Sequence, residues 1–172
     1  MVASANITVV RQGVLAGMAG GLAEVAWVTL YAGLTGGDAA VLARGVTTAA
    51  GVTALVPASP IALGVAVHMT LAVMLGVALS CAWSALRVHR PSLDNPLPFM
   101  LAALAGVWAT NFFVVLPIVS PAFVHVVPYA VSLASKLLFG VAAAATLRWQ
   151  PAAGLRPVRL GRDWGASDWG GQ

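Results

Sequence analysis

Charge is what this sequence has least of: Asp, Glu, Lys and Arg make up only 8% of its 172 residues, against roughly 25% in an ordinary soluble domain. With 60% apolar residues beside that scarcity, the composition excludes a water-soluble globular domain and implies an integral membrane protein. Cysteine is nearly absent, and the single Cys81 rules out an internal disulfide and reads as a small apolar filler within a span. Acids are few. Glu24, Asp38, Asp94, Asp163 and Asp168 are spread over different compartments and supply no catalytic carboxylate pair. Walker loops, a nucleophile elbow with triad partners, CxxCH and HExxH are all missing, which excludes a conventional hydrolase or kinase and makes an enzyme the less favoured reading. Among nine basic residues only Lys136 is a lysine, which together with the Ala, Gly and Val richness suits a GC-rich bacterial genome. The pI of about 10.2 does not point to nucleic acid, because the bases lie in short connections and a tail beside apolar runs, where they set membrane orientation.

Four apolar runs, 13–34, 61–84, 98–119 and 121–147, each reach the ~20 residues that a helical span needs. The fold class expected is therefore all-α, an integral membrane four-helix bundle. Ser59-Pro60, Ser120-Pro121 and Asp94-Asn95-Pro96 read as helix starts. A very short third connection makes the last two spans antiparallel neighbours, and Pro128 is expected to kink the fourth. The first run is too long for a signal peptide and contains Glu24, so it is expected to be retained. With both termini cytoplasmic, Arg11, Arg87, Arg90, Arg148, Arg156, Arg159 and Arg162 all fall inside and only Arg44 outside, as the positive-inside rule requires. Residues 38–56 group Arg44, Thr47, Thr48 and Gly51 on one face and Val41, Leu42, Val46, Val52 and Val56 on the other. That pattern predicts an interfacial or re-entrant segment between spans 1 and 2, with a fifth span as the alternative. Residues 151–172 form a cytoplasmic extended tail with a repeated Asp-Trp-Gly, whose Trp164 and Trp169 suit membrane anchoring or partner binding.

Polar residues within the spans are few enough to take one by one. Gly13, Gly17 and Gly21 repeat at the spacing that lets helices approach closely. Glu24 shares a face with Gly17, Gly20 and Gly21, and His68 with Gly64, Ala72 and Gly76. In HVVPYAVSLASKLLFG the residues His125, Tyr129, Ser132, Lys136 and Gly140 share one helical face. Counted inward from the basic ends at ~1.5 Å per residue, Glu24, Asn111 and Lys136 lie roughly 18 to 21 Å deep, with His68 and His125 in a layer nearer the outside. A lone charge there costs at least ~2.5 kcal/mol, so Glu24 and Lys136 are expected to pair. Asn111, Ser132 and Tyr129 would complete the buried polar network. Such a network either fixes helix register or relays protons or ions. The two imidazoles, His68 and His125, could instead share haem b or a metal ion, although neither has a second histidine on its own helix or a cysteine partner.

The segments RQGVLAGMAGGLAE and SPIALGVAVHMTLAVMLGVAL, glycines arranged around one histidine, resemble those of uncharacterised small four-span proteins of bacterial inner membranes. The resemblance covers the first two spans and implies a bacterial inner (plasma) membrane location without an activity. The function expected from the sequence is an accessory or assembly subunit of a larger, energy-converting inner-membrane complex, or a homo-oligomer, packed through small-residue faces and the Trp-containing tail. A haem- or metal-binding electron carrier using His68 and His125, or a proton or ion pathway using Glu24 and Lys136, is the alternative.

Overall fold

Long apolar runs satisfy their backbone polar groups within themselves only as helices. In the computed structural model of the protein, which describes residues 2–52, 60–121 and 127–149, every regular element among those residues is helical. The helices are α1 (Val2–Thr35), α2 (Ala39–Ala49), α3 (Pro60–His89), α4 (Leu97–Val119) and α5 (Tyr129–Trp149). Four of them contain stretches long and apolar enough to cross a membrane: Ile7–Thr35, Ile61–His89, Leu97–Val119 and Tyr129–Trp149. The tail with Trp164 and Trp169, and His125, lie outside the described residues.

The glycines of α1 decide how the helices meet. A Cβ on Gly13 would stand 2.5 Å from Val77 Cα, and one on Gly17 would stand 2.5 Å from the Ala72 carbonyl oxygen. A Cβ on Gly76 would collide with the Gly17 backbone. Only residues without side chains permit this backbone contact, and the pairing of 13 with 77 and 21 with 69 makes α1 and α3 antiparallel. A second face of α1 receives α5, where a Cβ on Gly20 would stand 2.6 Å from the Phe139 ring. The order across the molecule is thus α3, α1, α5, α4, with α1 touching both α3 and α5 and α4 packed on α5.

This row is bent until its ends meet at the end of the molecule carrying His89 and Trp149. There Trp83 of α3 packs on Phe99 of α4 with ring centroids 5.6 Å apart, over a core of Leu79, Met100, Leu104, Phe139 and Ala143. At the opposite end, α3 and α4 diverge. The arrangement is a helical bundle closed at one end and split at the other.

The connections explain the split. At the end of α1, Gly36 takes a left-handed φ of 70°, and the Gly37 N–H reaches back to the Ala32 carbonyl at 2.8 Å, which stops the helix. Asp38 then caps α2, its carboxylate accepting from the Ala40 N–H at 2.8 Å. Eleven residues of α2 reach only about 16 Å, half the thickness of a bilayer core, which disposes of a fifth span over the helical part of 38–56. Thr47, expected on the polar face with Arg44, is buried. Its hydroxyl donates to the Arg44 carbonyl at 2.8 Å, and back-bonding of this kind lets a threonine pack inside without an unmet polar group. Against α3, α2 sits so close that a Cβ on Gly64 would stand 2.5 Å from the Ala43 carbonyl oxygen.

One boundary and one turn within a helix differ from the sequence expectation. α5 begins at Tyr129, and Pro128 stands before it with its carbonyl accepting from the Val131 and Ser132 N–H groups at 3.0 and 3.1 Å. Proline there starts the helix instead of kinking it. α4 carries a π-helical turn over Asn111–Val115. Pro117 follows it, and a proline has no N–H and crowds the carbonyl four residues back; the wider turn accommodates both.

Candidate functional site

Three residues beyond Gly21 on the α3-facing side of α1 comes Glu24, and opposite it on α3, one residue before Met69, comes His68. The glycine contact that seats Gly17 on Ala72 therefore also brings a carboxylate and an imidazole together. The same logic holds on the other side: Gly20 receives Phe139, and one turn back along α5 are Ser135 and Lys136. Glu24 is 3% exposed, and its Oε1 lies 2.6 Å from Lys136 Nζ and accepts from Ser135 Oγ at 3.2 Å. The second oxygen, Oε2, lies 3.6 Å from His68 Nε2. The Gly21 backbone and Lys136 are further polar neighbours of the imidazole.

Around this cluster opens a cavity of about 570 Å³, within the ~300–1,000 Å³ typical of small-molecule sites. It occupies the split between α3 and α4 and is bordered by α2. Its polar wall is Glu24, His68, Asn111, Ser132, Ser135 and Lys136, and most of the rest is aliphatic, including Val28, Val46, Val65, Leu75 and Val107. Ile61, Val65 and Leu71 of α3 line it and are exposed, and the cavity is partly open.

The remaining expected residues are placed differently from the sequence reading. Ser132 does not reach Glu24: its hydroxyl accepts from Trp108 Nε1 at 3.0 Å and donates to the Tyr129 carbonyl at 3.0 Å. Glu24 receives its hydroxyl from Ser135, one residue from Lys136 on the same helix. Asn111 opens the π-helical turn and lines the cavity, with the carboxylate served by other groups. Tyr129, expected in the buried network, is 46% exposed and packs on Trp108, Phe112 and Phe113 with ring centroids 5.7 to 6.2 Å apart.

His68 was expected one layer outside Glu24, and stands beside it. The depth count took Arg11 and Arg87 as level, whereas the glycine register sets Gly13 against Val77, so Arg11 lies near Leu79 and α3 runs about two turns further. Among the described residues no three His, Cys, Asp or Glu side chains converge as a metal-ligand set.

Ser135, Trp27 and Trp108 were not singled out from the sequence. Trp27 donates from Nε1 to the Val131 carbonyl at 3.0 Å, a second tie between α1 and α5 one turn from Glu24. A signal for it existed: Trp27 is three residues from Glu24, and an indole N–H inside an apolar bundle requires an acceptor. Compared with protein families, curated proteins and solved structures, the chain matches none of them.

Proposed function

We propose that this protein is a multi-pass protein of a bacterial inner membrane, with both termini cytoplasmic, that binds a lipid-soluble small molecule in the cavity between α3 and α4. The observation carrying this reading is the junction of two surfaces in one cavity: aliphatic walls, and a polar head built from Glu24, Lys136 and His68. Large apolar pockets with a few convergent polar groups are the usual form of a ligand site. Ion-pair networks serving only helix register need no cavity beside them. A through-membrane proton route is less well supported, since Trp83, Phe99, Met100, Leu104 and Phe139 fill the other end of the bundle.

The protein purified gently from its native membrane is expected to carry a stoichiometric lipid-soluble molecule, seen by solvent extraction and mass spectrometry. Val107→Phe fills the cavity from α4 without touching the polar head, and should reduce the bound molecule several-fold while thermal unfolding stays near wild type. Equal recovery from both proteins, or no bound molecule from wild type, would count against a ligand site.

A second reading, an accessory subunit of a larger membrane complex, has its own observation. On α4, Ala102, Gly106 and Thr110 are exposed at four-residue spacing, and a Cβ on Gly106 would meet nothing within 4 Å. Small residues at that spacing favour close approach of another helix.

A further inference from the structure

We infer that the cavity takes a neutral lipid-soluble molecule whose head carries hydrogen-bond acceptor oxygens, with the quinone nucleus as its test case. This deepens the ligand-binding reading above and rests on it.

Neutrality follows from the charges already in place. Glu24 and Lys136, in contact at 2.6 Å, carry no net charge together, whichever of them holds the shared proton. An ionised head would therefore add an uncompensated charge to a site with aliphatic walls, where a lone charge is poorly tolerated. The groups able to offset an incoming charge are already committed to each other.

Acceptor character follows from unused hydrogen-bonding capacity. An ammonium has three N–H groups, and Lys136 directs one towards Glu24 Oε1. The others border the cavity, as does Asn111. His68 Nε2 is buried against Glu24 Oε2 at 3.6 Å, so the donors left to a ligand are those of Lys136 and Asn111. A head with two oxygens could accept from Lys136 and from the Asn111 amide, both of which line the cavity. A plain hydrocarbon would leave the spare Lys136 donors unmet, and a cation would face Lys136. The body of the molecule would lie along the aliphatic wall of Val28, Val65 and Val107.

The test uses the full-length protein in phosphatidylcholine nanodiscs, titrated with three probes sharing a decyl chain: a decyl benzoquinone, the decanoate anion and decyltrimethylammonium. Binding is read by native mass spectrometry. The quinone is expected to bind saturably and at least about tenfold more tightly than either ion. The double substitution Glu24→Gln with Lys136→Met keeps the site neutral and should weaken quinone binding about tenfold, the loss expected for hydrogen bonds to a charged group. Its thermal unfolding shows whether it has folded. If it has not, Val107→Phe must abolish quinone binding in its place. Tighter binding of either ion, or an undiminished quinone affinity in the folded double variant, would overturn the neutral-acceptor assignment. A native extracted molecule combined with no quinone binding would overturn it too while sparing the ligand reading. Absence of both would sink the two together.

Discussion

Glu24 is the residue on which three helices converge, and its neighbours determine what a substitution does. Lys136→Met leaves a 3%-exposed carboxylate without its cation. Breaking a buried pair from one side costs roughly 3–5 kcal/mol, and because Lys136 keeps 21% exposure a loss of about 3 kcal/mol, at the lower end of that range, is expected. Thermal or SDS-induced unfolding in detergent measures it. Adding Glu24→Gln should recover most of the loss, since a neutral amide opposite methionine leaves no unpaired charge. Unchanged stability in the single variant would mean that Glu24 is held by Ser135 and His68 alone. At this scale the sequence revealed which residues must be partnered, because a charge within an apolar run has few options. The identities of all the partners were not legible. Ser135 and Ser132 are three residues apart on one helix, and only the rotation of α5 about its axis decides which of them reaches the carboxylate.

Elements were legible to the extent that local chemistry governs them. The four long apolar runs, the Asn95 side chain accepting from the Leu97 N–H at 3.1 Å, and the close approach through Gly13, Gly17 and Gly21 all follow from residue type and spacing. Register was not legible. Counting from arginines assumes that the helices begin in one plane, whereas the pairing of Gly13 with Val77 shifts α3 along α1. The π-helical turn was also missed, although Pro117 was its available cue. Backbone contact at Gly17 and Gly76 gives the register a sharp test. Gly76→Leu places a side chain where the Gly17 backbone stands, and overpacking of this kind costs roughly 1–3 kcal/mol or more. The variant is expected to unfold at markedly lower temperature and to lose the approach of Glu24 to His68. Gly33→Leu, at a position where a Cβ meets nothing within 4 Å, is the control and should be tolerated.

For the whole molecule, the distinction between a self-contained binding protein and a subunit of something larger lies on the outer face of α4. Gly106→Leu should leave the isolated protein's stability within about 0.5 kcal/mol, as exposed substitutions usually do. If the face seats another helix, the same change should release co-purifying partners in a gentle detergent pull-down. Retention of every partner would confine the function to the cavity. Helix length adds a further property. The apolar stretches of α1 and α3 each run 29 residues, and those of α4 and α5 run 23 and 21, so the two sides of the molecule measure about 44 Å and about 33 Å along their axes. In a bilayer whose hydrocarbon is ~30 Å thick, one side matches the lipid and the other must tilt or thicken it, at a modest cost per ångström. The split between α3 and α4 lies where these two thicknesses meet. For a molecule spanning such a bilayer, the step in thickness falls at the mouth of the cavity, and a hydrocarbon chain entering from the lipid is expected to enter there.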